Sequence, residues 1–214
     1  MTMQSINTAN EQSTLPTRLA TRWLDLILSL LLLTLLWPVL LIIALAVVLT
    51  SRGPVLFEQT RIGQHGVPFK MVKFRSMYAD AEVRRAALIH QSDREGLCLK
   101  IRKDPRITPI GRILRRWSLD ELPQIFNVLK GDMSLVGPRP ALPQEVAEYP
   151  QNAHRRHLVL PGITGLWQVS GRAEIGFDEM IELDLHYVRT ASVPTNIIIL
   201  LRTFGAVITG RGAY

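Results

Sequence analysis

From Leu26 to Leu49 the chain runs 24 residues without a charge. As a helix rising 1.5 Å per residue it would reach roughly 36 Å, enough to cross the hydrocarbon core of a bilayer. Pro38 stands at its middle and deprives the Thr34 carbonyl of its helical partner, which predicts a kink at Trp37-Pro38. Each half then covers only about 18 Å, roughly half the hydrocarbon thickness. Arg18 and Arg22 precede the run, and Arg52 and Arg61 follow it. Positive flanks favour the cytoplasmic side at both ends. A helix that enters, breaks and returns to the same face satisfies both flanks, whereas a crossing helix leaves one set outside. The residues alone admit both. Residues 1–16 are rich in Ser, Thr, Gln and Asn without periodicity; they read as a disordered tail, too polar for a signal peptide.

Beyond the apolar run, Val55 to Ile62 and Phe69 to Phe74 flank a Gly63 to Pro68 turn and read as a β-hairpin. On the second strand Lys73 and Arg75 share a face. A polar helix over 79–91 and a charged loop over 92–106 follow. In SLDELPQIFNVLKGD, apolar residues recur at Leu122, Ile125, Phe126 and Leu129, and Gly131 follows as a C-terminal cap. That is an amphipathic helix with one core-facing stripe. Ser118 and Glu121 have capping-box spacing, but Pro123 would then be the fifth helical residue, where its missing N–H is costly. A start at Leu119 or later puts Asp120 and Glu121 at or just before the helix N-terminus, beside unbonded N–H groups. Short helices are expected over Leu142 to Tyr149 and Asn152 to Leu158, and an acidic amphipathic helix over Phe177 to Thr190, carrying Asp184 and Tyr187. The apolar set Ile197 to Leu201, Phe204, Val207 and Ile208 is too short to span; core packing and an interfacial position both suit it. The fold class is α/β, mostly α: a membrane segment over 17–51, re-entrant or spanning, then a small, largely helical domain with one hairpin over 52–214.

Composition narrows the chemistry. The chain has 214 residues, net charge +7 and one cysteine, Cys98, so an intramolecular disulfide and a Cys-based zinc site are excluded. Of 25 basic residues 20 are Arg, a balance that suits nucleic acid, anionic lipid or phosphorylated substrates; a high-Arg genome is the plain alternative. The placement of the arginines is more telling. Arg112, Arg115 and Arg116 precede Asp120-Glu121, Lys130 closes the helix, and Arg139 lies between two prolines in GPRP. An Arg fixed in such a turn looks like a pre-positioned phosphate clamp. Two carboxylates beside a phosphate would repel it unless a hard cation such as Mg²⁺ intervenes or one carboxylate attacks. Carboxylates in that position also oppose binding to a nucleic-acid backbone, so no nucleic-acid partner is expected. His154 and His157 have no evident third metal ligand and read as part of a basic patch. In PGITGLWQVSGR, Trp167 suits stacking on a base or sugar and core packing equally, with Gln168 and Arg172 beside it.

The runs SLDELPQIFNVLKGDMSLVGPRP, KFRSM at 73–77 and PGITGLWQVSGR at 161–172 resemble the bacterial sugar transferase family, monotopic phosphoglycosyl transferases that start membrane-linked glycan assembly. The match runs in order from about Arg18 to the C-terminus. It implies the re-entrant geometry, although the family's break is usually Ser-Pro where this chain has Trp37-Pro38. It implies a UDP-sugar donor, an undecaprenyl phosphate acceptor and a site facing the cytoplasm at the bacterial inner membrane. Asp120 becomes the expected nucleophile, Glu121 with Asp120 the expected Mg²⁺ ligands, and Arg115, Arg139 and, more weakly, Lys73 and Arg75 the expected phosphate contacts. Larger members carry further N-terminal membrane helices that this sequence does not show. The remaining alternatives are a single-displacement transferase using the same residues, a non-catalytic basic membrane protein, and, for assembly, a homodimer.

Overall fold

The computed structural model describes residues 15–81, 83–84, 104–171 and 175–209. Most of the expected tail, the later part of the 79–91 helix, most of the 92–106 loop, Cys98 and Arg172 lie outside the described residues.

Helix α1, Leu15–Thr50, is one uninterrupted helix with Pro38 inside it. The expected break into two helices at Trp37-Pro38 is therefore corrected. Proline removes one N–H and crowds one carbonyl, which bends a helix without having to end it. α1 is long and apolar enough to cross a membrane. Its contacts with the rest of the chain fall at its two ends. Asp25 and Ser29 are buried near one end and Ile43 and Val47 near the other, with no buried residue between 30 and 42. Asp25 and Ile43 lie about five turns apart, so one helix face makes both sets of contacts.

The first arm is held by polar bonds. Arg22 donates to the Val128 and Leu129 carbonyls at 2.6 and 3.0 Å, and Asp25 Oδ1 accepts from Ser134 Oγ and the Leu135 N–H at 3.1 and 3.0 Å. The second arm is held by packing of Ile43 and Val47 on Phe74 and Leu114.

The hairpin forms as expected, β1 Leu56–Ile62 antiparallel to β2 Pro68–Phe74, with Phe57 opposite Lys73. Helix α2, Pro109–Arg116, starts with proline in its first turn and with Thr108 as N-cap, Oγ1 accepting from the Gly111 N–H at 2.9 Å. A 3-10 turn, Leu119–Glu121, leads into helix α3, Gln124–Lys130, which ends on Gly131 at φ 97°. The expected α3 stripe is corrected in part: Gln124, Ile125, Asn127 and Val128 are buried and Phe126 is 53% exposed. The late start rotates the inward face, and Asn127 takes a core position by bonding the β2 main chain at Val72 N and Lys70 O.

Strand β3, Ser134–Val136, pairs in parallel with β4, Gly162–Thr164, a sheet the sequence reading did not foresee. Helix α4, Pro143–Ala147, and a 3-10 segment, Gln151–Leu158, lie between these strands. Helices α5, Leu166–Ser170, α6, Phe177–Thr190, and α7, Val193–Thr209, complete the order. One core joins Val128, Met133, Leu135, Val136, Tyr187 and Ile199; another gathers Tyr149, Ala153, Trp167, Ile175, Met180 and Ile181. On α7, Asn196 and Ile199 face inward, while Ile198, Leu201, Phe204 and Ile208 are exposed.

Candidate active site

Asp120 and Glu121 sit in the 3-10 turn directly ahead of α3, as the Pro123 argument requires. Ser118 is left-handed at φ 53° and its side chain caps nothing, so the capping box does not form. Asp120 is only 5% exposed, and Ser76 Oγ reaches its Oδ2 at 3.5 Å. Ser76 is itself fixed, its carbonyl accepting from Thr108 N–H at 3.0 Å. Gly111 allows this approach, since a Cβ there would lie 1.9 Å from the Ser76 oxygen.

Three cations surround the pair. Burial and the nearby Arg115 push the Lys73 ammonium down to about 8, against the pull of Asp120 and Glu121. Burial also lowers the Arg115 guanidinium, opposed by Asp120 and Asp104. Glu121 is raised, first by burial and then by the adjacent Asp120, against Lys73, Arg139 and Arg115. Glu121 is the common partner, acted on by Asp120, Lys73, Arg139 and Arg115, so the five side chains form one electrostatic cluster about it.

Arg75 does not join it. β2 ends at Phe74, the alternation stops there, and Arg75 turns back to donate to the Arg52 and Ser51 carbonyls, both at 2.7 Å. Its expected phosphate role is corrected: it caps the outgoing end of α1, with Lys73 on one side of it in sequence and Ser76 on the other. Trp37 and Pro38, the other expected landmarks, are exposed at the centre of α1.

From Pro138 to Ala141 the four successive carbonyls of the GPRP turn and its exit are all met. Pro138 O accepts from Gly162 N at 2.9 Å, and Ala141 O from Ile62 N at 2.9 Å. Arg139 O accepts from Arg156 Nη2 at 3.0 Å and Pro140 O from Arg61 Nη1 at 3.0 Å. The glycines serve backbone packing here. A Cβ on Gly162 would meet Gly137 N at 2.0 Å, and one on Gly165 would meet Gly137 O at 2.3 Å. Sequence reasoning missed Ser76, Arg61 and Arg156; of these only Ser76, inside KFRSM, carried a signal.

Trp167 is 5% exposed in the second core, which decides between its two readings in favour of packing. Tyr187 Oη lies 2.9 Å from both Val136 O and Asn196 Oδ1, a structural tie between β3 and α7. His154 meets the Tyr149 ring edge-on and His157 stacks parallel to it, and burial pulls His157 down to about 4. Among the described residues no group of three His, Cys, Asp or Glu is placed to hold a metal. Mg²⁺ does not need one: it binds through one or two carboxylates, completing its shell with water and phosphate oxygens. Asp120 and Glu121 fit that role, because a cation would relieve the like-charge and burial penalty that raises Glu121.

A family model described as bacterial sugar transferase matches residues 16–210. The galactosyl transferase CpsE of Streptococcus agalactiae is 48% identical over 162 residues, covering 75% of this chain and 36% of that protein. UDP-glucose:undecaprenyl-phosphate glucose-1-phosphate transferase of Escherichia coli is 42% identical over 205 residues, 92% of this chain and 42% of that protein. Exopolysaccharide production protein ExoY of Rhizobium meliloti is 36% identical over 200 residues, 92% of this chain and 88% of that protein. The chain thus spans less than half the length of the first two and most of the third. A match across nearly the whole chain, over a carboxylate pair in a cationic cluster, places it plainly: the chain belongs to the bacterial sugar transferase family.

Proposed function

We propose that this chain transfers a sugar-1-phosphate from a UDP-hexose to undecaprenyl phosphate, giving undecaprenyl diphosphate sugar and UMP, the priming step of exopolysaccharide or related glycan synthesis. The observation that carries the reading is the Asp120-Glu121 pair, Asp120 buried and Glu121 half-buried, with Lys73, Arg115 and Arg139 acting on it, on a domain fastened to both arms of an apolar helix. Names of relatives support it: several are named as undecaprenyl-phosphate transferases of galactose or glucose.

In the proposed reaction an Asp120 carboxylate oxygen attacks the phosphorus nearer the sugar. The bond to the bridging oxygen breaks, that oxygen leaves with UMP, and a phosphosugar remains on Asp120 as an acyl phosphate. An oxygen of the lipid phosphate then attacks the same phosphorus, the bond to Asp120 breaks, and the carboxylate is restored. No proton changes hands, because nucleophile, acceptor and leaving group are all anions. Catalysis therefore rests on positioning and charge neutralisation. Arg139 and Arg115 bind and orient the diphosphate, Lys73 adds charge beside Asp120, and Ser76 orients the Asp120 carboxylate. Glu121, with Asp120, would hold Mg²⁺, which when bound supplies neutralising charge to the diphosphate.

In this reading α1 is re-entrant, bending at Pro38 within one continuous helix rather than breaking into two. A domain that touches Arg22 and Asp25 and also Val47 and Ser51 sits on one side of the bilayer, so both basic flanks face the cytoplasm. The Pro38 region, which makes no buried contact, dips into the membrane.

The test is a donor carrying radiolabel in the phosphate nearer the sugar, added without acceptor. The intact protein should become labelled, and undecaprenyl phosphate should then release the label as lipid-linked product. Asp120→Asn should take up none; label on that variant would put the intermediate on another residue, and turnover without label on the native protein would favour single displacement.

A further inference from the structure

The GPRP turn presents an unusual hydrogen-bonding problem. Its two prolines donate nothing, it belongs to no regular element, and Pro138, Pro140 and Ala141 are buried around the exposed Arg139, where an unmet acceptor is costly. Main-chain donors meet the two outer carbonyls, Pro138 and Ala141. The two inner ones, Arg139 and Pro140, are met by arginine side chains arriving from different parts of the fold. Arg61 comes from β1 and is 4% exposed; Arg156 comes from the 3-10 segment before β4 and is 2% exposed. Arg61 divides its fork between Pro140 O and Gln59 Oε1. Arg156 joins Arg139 O to the Tyr149 hydroxyl and to the buried Asp184 carboxylate. The Arg139 side chain also acts on two acids, Asp184 behind the turn and Glu121 in the site. Arg139 is thus fixed through the backbone on both sides of its exposed side chain.

We propose that Arg61 and Arg156, the latter braced by Asp184, are positioning residues that fix Arg139 for the donor diphosphate, an assignment resting on the reading of Arg139 as a phosphate-binding group. Neither touches substrate. They act by removing alternative turn conformations before the diphosphate arrives, so that little ordering remains to be done on binding. A guanidinium suits the task better than an amide, since one planar fork bonds a carbonyl and a second partner at once.

The test is a double-mutant cycle on UMP release from a UDP-hexose, with Tm recorded for each protein. Arg61→Gln should raise the donor KM about tenfold, the fold-change of roughly one charge-assisted hydrogen bond, with kcat little changed. Added to Arg139→Ala, it should cost nothing further, because there is no longer a clamp to position. An equal penalty in both backgrounds would overturn the proposal, as it would mean that Arg61 supports the fold at large. Arg156→Lys keeps a charge opposite Asp184 but replaces the fork with a point donor; it takes the same place in the cycle should Arg61→Gln fail to fold. If Arg139→Ala binds donor as well as the native protein, the phosphate-clamp reading itself fails, a result distinct from equal penalties.

Discussion

Lys73 is the residue at which the site's charge balance can be read directly. Burial and Arg115 hold its ammonium near 8 rather than at the ordinary 10.5, so in the free protein its charge is present below that pH and lost above it. If that charge helps to bind the donor, kcat/KM should fall as pH rises through about 8, since this ratio reports groups of the free enzyme. Lys73→Arg should carry the alkaline limb upward by at least about one unit, because guanidinium does not deprotonate in this range. An alkaline limb that stays in place would remove Lys73 from the site. Asp120, Glu121 and Arg139 stood out in the sequence by residue type and spacing, carboxylates ahead of a helix and an arginine between prolines, whereas only the family resemblance separated Arg115 from Arg112 and Arg116. Arg75 was misread because period-two alternation was carried one residue past the end of β2. Arg61 and Arg156 were illegible for another reason. Their partners are main-chain carbonyls 79 and 17 residues away, and no local pattern marks such a bond.

At the scale of elements, the hairpin and helices α2, α3 and α6 follow from local signals of turn, cap and period. The parallel β3 and β4 pair does not, since three-residue strands fall below what alternation can reveal and their pairing is set by the approach of Gly137 to Gly162. That approach makes a prediction. Gly162→Ala places a methyl 2.0 Å from Gly137 N, against backbone that cannot yield cheaply, and should lower stability by about 1–3 kcal/mol, as overpacking does. Gly205→Ala, inside α7 with nothing within 4 Å, should hold or raise stability, by up to about 1 kcal/mol. Thermal melts of the two variants, side by side, distinguish this steric account from a general intolerance of alanine for glycine. Equal Tm values would contradict it.

For the whole molecule the decisive feature is that α1 touches its own domain at both ends. Arg22 bonds the C-terminal carbonyls of α3, the helix whose N-terminal approach carries Asp120 and Glu121, and Arg75, next to Ser76, holds the outgoing end of α1. The membrane segment is thus tied to both sides of the carboxylate pair. A cysteine introduced ahead of α1 should be shielded from an impermeant thiol reagent in intact cells and labelled after permeabilisation, as should one placed in the catalytic domain. Labelling of the first from outside would establish a crossing helix. The hydropathy run and its basic flanks announced a membrane segment, but only the three-dimensional contacts show one helix face serving both arms.

The measurement closest to the central claim is UMP release from a panel of UDP-hexoses by detergent-solubilised protein, with and without undecaprenyl phosphate, beside Asp120→Asn. The account predicts sustained release that depends on the lipid phosphate, is confined to a preferred sugar, and falls at least about a thousandfold in the variant, the scale on which enzymes lose rate with an essential nucleophile. Release by Asp120→Asn at a comparable rate, or no release from any donor by a folded native protein, would contradict it.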